Sequence, residues 1–153
     1  MHRVVKEHEI DQVFEFAKSL HESRSADEGV DPFAAEMATW NAAWRRESLQ
    51  HYLKLGWSMA CWSQDEKDLL GFSLGQPLLF YKGLTQTLWV EAIVAVDQQT
   101  ELELLEVSYK WARDKHLQNL ALNPSLLELA QISDYTFECD SIPAVATAKI
   151  KQP

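Results

Sequence analysis

Glu91 lies in the run LWVEAIV (88–94) with apolar neighbours on both sides. Apolar surroundings make a carboxylate a readier proton acceptor, which is what a general base needs. The plainer alternative is a carboxylate on the solvent-facing side of a strand, or one paired with Arg or Lys. A second acidic group follows closely. Asp97, Glu101, Glu103 and Glu106 fall within ten residues, with no Lys or Arg among them. Thr100-Glu101-Leu102-Glu103 has the spacing of a capping box, in which the Thr hydroxyl and Glu carboxylate satisfy backbone N–H groups at a helix start. Those donors are the ones a phosphate would use, and surrounding carboxylates would repel it. A third group, Asp27, Glu28 and Asp31 in SADEGVD, reads as a solvated loop or as an attraction point for an amine.

Other chemistries find little support. His2, His8, His21, His51 and His116 show neither helical metal spacing nor a nucleophile motif, so no metal and no triad is assigned. Cys61 and Cys139 sit in apolar runs, where a free cysteine behaves as a small hydrophobe. Of the six tryptophans, Trp40 and Trp44 are four apart on an expected helix and should share a face. Core packing accounts for most of the six, with one or two left for a ligand cavity or a homo-oligomer contact.

Charge narrows the partners. With 23 acidic against 14 basic side chains the net charge is −9, which disfavours nucleic acid and anionic membrane surfaces. A cationic small molecule or a basic protein fits better, and solubility alone is the bland explanation. The opening MHRVVKEHEI lacks the apolar stretch of a signal peptide and no run reaches membrane-spanning length. The expected location is cytoplasmic. At 153 residues, one domain covering 1–153 is expected.

These groups must be positioned by elements that the apolar periods outline. Residues 2–6 read as a strand, and Ile10, Val13, Phe14, Ala17 and Leu20 form a helical stripe between Glu9 and about Glu22. A polar loop spans Ser23–Pro32, and a further helix, whole or in two pieces, runs to Leu55 with Gly56 as its stop. Three strands follow, at Trp57–Ser63, Leu69–Gly75 and Thr87–Val96, joined as an antiparallel meander. The link QPLLFYKGLTQ, with Pro77 and Gly83, extends the second of them if a bulge intervenes. Thr100–Lys115 is the clearest helix, then a strand at Leu117–Leu122, a short helix at Pro124–Ser133, and closing strands at Tyr135–Cys139 and Ala144–Ile150. The order β-α-α-β-β-β-α-β-α-β makes an α/β (α+β) domain whose mixed, mainly antiparallel central sheet is flanked by helices.

That order and several phrases resemble the GNAT superfamily of acyl-CoA N-acyltransferases. LLGFSLG is similar to its second meander strand, LWVEAIVAVD to its central strand, and LLEVSYKWARDKHLQNLAL to its long helix and following strand. NPSLLELAQISDYTF looks like its last helix. The resemblance implies a general-base role for Glu91, the acidic residue of the central strand. It implies acyl-CoA contacts at Val94, Val96, Gln98, Gln99 and Thr100, and an acceptor pocket near Asp27, Glu28 and Asp31.

Two parts of the pattern are missing. Relatives place a glycine-containing loop before the long helix, whose backbone N–H groups hold the cofactor diphosphate. Here no glycine follows Gly83, and the connection is about five residues shorter than in such proteins. The tyrosine expected in the last helix as general acid is also absent, Ile132 or Ala130 falling at its place. The leading expectation is therefore a degenerate acetyltransferase-like protein with no cofactor, binding a small ligand or a protein. The alternatives are an N-acyltransferase acting on a primary amine with acetyl-CoA or another acyl-CoA, and a structural subunit of an assembly.

Overall fold

In the computed structural model, which describes residues 1–81, 85–139 and 146–151, the apolar periods become elements close to those expected. β1 is His2–Val4, and a 3-10 turn at Glu7–Glu9 leads into α1, Ile10–Asp27. This helix outruns its apolar stripe. Ser25 is buried, and Arg24 donates to the Ala95 carbonyl at 2.7 Å, so tertiary contacts hold a polar stretch in helical form. α2 (Pro32–Trp40) starts with Pro32 in its first turn and the Asp31 carboxylate accepting from Ala34 N. α3 (Arg46–Leu55) ends at Gly56, whose φ of 75° is left-handed and suits glycine.

The meander is β2 (Met59–Trp62), β3 (Leu69–Tyr81) and β4 (Thr85–Ala95). α4 (Gln98–Asp114) then leads to β5 (Asn119–Leu122), and α5 (Leu127–Ile132) follows a 3-10 turn. β6 (Glu138–Cys139) and β7 (Ala146–Lys149) close the chain. The extension of β3 past Pro77 is observed, while Gly83 and residues 144 and 145 of the last expected strand lie outside the described residues.

Among the described residues seven strands form one sheet in the order β1-β2-β3-β4-β5-β7-β6, in which only β4 and β5 run parallel. Helices cover both faces. On one, Leu88, Val90, Ile93 and Ala95 of β4 share a core with Leu104 and Leu105 of α4 and Leu126 and Leu129 beyond β5. On the other, Val13 and Ala17 of α1 and Leu49 and Leu53 of α3 pack with Phe72, Leu74 and Ala92. Two glycines permit close approach in β3. A Cβ at Gly71 would lie 2.7 Å from Ala95 Cβ, and one at Gly75 would lie 2.8 Å from the Trp57 carbonyl. No helix among the described residues is long and apolar enough to cross a membrane.

The start of the chain is pinned by Arg3, which makes a two-pronged bond to Glu9 at 2.6 and 3.0 Å and lies over the Trp62 ring. The hydrogen bond from Arg3 holds the Glu9 carboxyl below the usual carboxylate range. A depressed folded-state pKa contributes stability above the ordinary carboxylate value, and that contribution disappears as pH falls through the folded value. Acid unfolding of Glu9→Gln, followed by circular dichroism, is therefore expected to show a shallower loss of stability below about pH 4.5 than the parent.

Candidate functional site

The alternation of β4 breaks at Glu91. Leu74 pairs with Ala92 and Gly75 with Val90, so Glu91 is the extra residue of a β-bulge. Without it Ala92 and Val90 would fall on one face; with it they fall on opposite faces. Bulges re-aim a side chain, and this one turns the half-buried Glu91 toward the α1/α3 side. There its Oε2 accepts from the Trp89 indole N–H at 2.7 Å. Tyr52 of α3 stands beside it. Burial first, then the Glu91 charge and a hydrogen bond to it, push the Tyr52 phenol up to about 12. Next to this pair, the His51 imidazole meets the Gln76 amide at 2.8 Å. Among the described residues, no Lys or Arg forms an ion pair with Glu91. The result is a carboxylate oriented by the Trp89 indole, with the Tyr52 phenol beside it, and left with capacity to take a proton.

The bulge coincides with the point where the parallel strands part. β5 pairs with β4 from Thr87 to Val90, and Asn123 N bonding Val90 O at 2.9 Å is the last link. Beyond it no strand among the described residues pairs with the outer edge of Glu91–Ala95. Val96 N donates to Leu70 O of β3, so by antiparallel alternation Val94 and Val96 turn their backbone groups to β3. Ile93 and Ala95 therefore present theirs to the open edge, where Arg24 reaches the Ala95 carbonyl.

The start of α4 differs from expectation. Thr100 is not the cap: the helix begins two residues earlier, and Asp97 caps it by accepting from Thr100 N at 2.8 Å. Thr100 is buried, and Glu103 takes its bond from the Gln99 side chain at 3.3 Å. The short Asp side chain reaches the third N–H from outside the helix, which frees the apolar part of Thr100 to face the core. The bond from Thr100 holds Asp97 below the usual range. Burial raises Glu101, partly offset by the nearby charge of Arg24.

Between α4 and the turn after α5 lies a cleft of about 260 Å³, with Gln99, Leu102, Glu106, Ile132 and Tyr135 in its walls. Tyr135 stacks on Tyr109, ring centroids 4.0 Å apart. Burial, then the Glu106 charge, raises its phenol above the usual value. Of the residues expected to touch a cofactor, Gln99 lines this cleft, whereas Gln98 and Thr100 do not.

A wider cleft of about 790 Å³ runs between α1, α2 and the start of α3, past Phe14, His21, Glu22, Trp40 and Arg45. Asp27, Glu28 and Asp31 line neither cleft; they end α1 and cap α2. The expected pairing of Trp40 with Trp44 does not occur. α2 stops at Trp40, which is 63% exposed, while Trp44 turns inward against Phe14 and His21. Sequence reasoning missed Tyr52, Trp89 and Arg24. Trp89 precedes Glu91 by two and could have been paired with it on one strand face; the other two come from distant helices.

No family model matches this sequence, and neither does any curated protein. Solved structures match over nearly the whole chain. A GNAT-family acetyltransferase from Listeria monocytogenes aligns with TM-score 0.71 and 8% identity, covering 97% of this chain and 94% of that one. The PaiA N-acetyltransferase of Thermoplasma acidophilum, in complex with coenzyme A, aligns at TM-score 0.68 and 12% identity, covering 97% and 98%. A Drosophila melanogaster polyamine N-acetyltransferase, which forms N-acetylagmatine, aligns at 0.62 and 15%, covering 97% and 98%. The fold is that of the GNAT acetyltransferases. The expectation of no cofactor is corrected by the second structure. That protein of the same fold holds coenzyme A, which overturns the expectation of none. The physical reason is that the opening between β4 and β5 stands apart from the α4 terminus on which the expectation of no cofactor rested.

Proposed function

We propose that this chain is an acyl-CoA-dependent N-acyltransferase for a primary amine, with Glu91 as general base. The observation that carries this reading is the coincidence of the Glu91 bulge with the parting of β4 from β5. The residues present fit the acyl arm of such a donor. Ile93, and Ala95 through its N–H, offer backbone groups on an edge that no strand among the described residues covers, suited to the amides of an extended arm. They do not fit a diphosphate at its usual place, because Asp97 already takes the donor there and Glu101 adds charge. Arg24, at the Ala95 carbonyl, is the cation at that mouth and would meet the phosphates instead.

Bound acyl-CoA supplies a thioester carbonyl activated for attack and a thiol as leaving group. The work of the chain is proton handling and orientation. Glu91 accepts a proton from the acceptor ammonium, directly or through water, leaving a lone pair free to form the C–N bond. The Trp89 indole and the neighbouring Tyr52 orient the carboxylate and leave it lone pairs for that proton. The net charge of −9 draws a cationic acceptor toward the protein. Acceptors in the class of agmatine and other polyamines suit it, as does the chemistry of the fruit-fly structure.

The test is release of free thiol from acetyl-CoA with a panel of polyamines and arylalkylamines. Amine-dependent release above the buffer rate is expected. Hydrolysis that no amine accelerates would remove the transferase reading.

A further inference from the structure

Three elements far apart in sequence bring an imidazole, a thiol and a carboxylate together on the opposite face of the sheet from Glu91. His2 of β1 lies directly opposite Cys61 of β2 in their antiparallel ladder, which puts both side chains on one face. α4 crosses that face and lays Glu103 over the pair. The three candidate ligand atoms all lie within 4.8 Å of one another. His2 Nε2 is buried without a hydrogen-bond partner and faces Glu103 Oε2 at 3.6 Å, too long for a hydrogen bond. Gln99 holds the other oxygen of Glu103, leaving Oε2 turned toward His2 and Cys61. An orphaned ring nitrogen, a buried thiol and an oriented carboxylate oxygen therefore converge on one point.

We propose that His2, Cys61 and Glu103 form a three-ligand site for a divalent cation of the zinc type, its fourth position left to water. The donor set decides the metal class. Thiolate and imidazole favour zinc and its neighbours over calcium or magnesium, which take all-oxygen shells. Tetrahedral bonds of about 2.0–2.3 Å set ligand atoms on the order of 3.3–3.7 Å apart, so this cluster closes with small side-chain rotations. Gln99 plays the part of the outer partner that orients a ligating carboxylate. Burial lowers the His2 imidazole, which favours its neutral, ligating form, and burial raises the Cys61 thiol. Binding therefore expels the thiol proton to solvent as the sulfur–metal bond forms, with no change of oxidation state. Single-sequence spacing could not reveal the site, because no two ligands share an element. The site does not rest on the acyl-transfer reading.

The experiment is titration of the metal-free, untagged chain with Co²⁺ as spectroscopic probe, followed by displacement with Zn²⁺. One equivalent is expected to give the intense visible absorption of tetrahedral cobalt and a near-ultraviolet thiolate charge-transfer band. Cys61→Ser is expected to lose that band and Cys139→Ser to keep it. Glu103→Gln, at a half-exposed position of α4, is expected to weaken Co²⁺ binding tenfold or more. A weak octahedral spectrum, or a charge-transfer band that survives in Cys61→Ser, overturns the proposal. If Cys61→Ser does not fold, Glu103→Gln decides: unchanged Co²⁺ affinity overturns the site equally.

Discussion

Glu91→Gln is expected to lower turnover with acetyl-CoA and an amine on the order of 10²- to 10⁴-fold, the range that removal of a general base commonly spans. The substitution is nearly isosteric. The Gln carbonyl oxygen still accepts from the Trp89 indole, so the bulge and its surroundings are expected to stay in place. What is lost is the capacity to take a proton. Loss of kcat with an unchanged melting temperature is the expected pattern, read from thiol release at saturating acyl donor. Turnover equal to the parent would remove Glu91 as base. Tyr52→Phe separates orientation from proton transfer. It keeps the carboxylate but removes a hydrogen-bonding partner, so a smaller loss than that of Glu91→Gln is expected.

Phe72→Ala carries the largest expected cost in stability, about 3–5 kcal/mol. Phe72 is fully buried in β3 and meets the Phe16 ring of α1 edge-on at 6.2 Å. Truncation leaves a cavity on the face of the sheet where Glu91 and Tyr52 lie. The packed helices there collapse into it only in part. Against a usual total of about 5–15 kcal/mol, this is a large fraction. At roughly 2–4 °C per kcal/mol for a domain of this size, the melting temperature should fall by about 6–20 °C. Urea denaturation gives the independent measure. A loss below about 1 kcal/mol would mean that α1 does not pack on β3 as described.

Much of the architecture was legible because periodicity reports which face of an element is apolar. The meander, the α4 stripe and the stop at Gly56 follow from such local signals, and the structure places them within a few residues of their expected bounds. The polar end of α1 was not legible, since Arg24 and Ser25 are held helical by contacts with residues far away in the chain. Two good caps compete at the start of α4, and Asp97 wins over Thr100 because the buried position of Thr100 is set by tertiary packing. Trp40 and Trp44 failed as a pair because α2 ends between them. At the candidate site, Glu91 could be found from its apolar run, but its direction could not. A bulge shifts alternation by one residue, and single-sequence periodicity carries no mark of where that happens. The convergence of His2, Cys61 and Glu103 was invisible for a related reason: pairing register between strands is not written in the spacing along either one.

Everything proposed for Glu91 requires that an acyl donor enter beside β4, and thermal unfolding with and without acetyl-CoA measures that most directly. Acetyl-CoA at one hundred times its Kd should add roughly 2.7 kcal/mol of stability, raising the melting temperature by several degrees, with Arg24→Ala reducing the rise. A melting temperature that stays fixed as acetyl-CoA is raised to millimolar concentrations would contradict it.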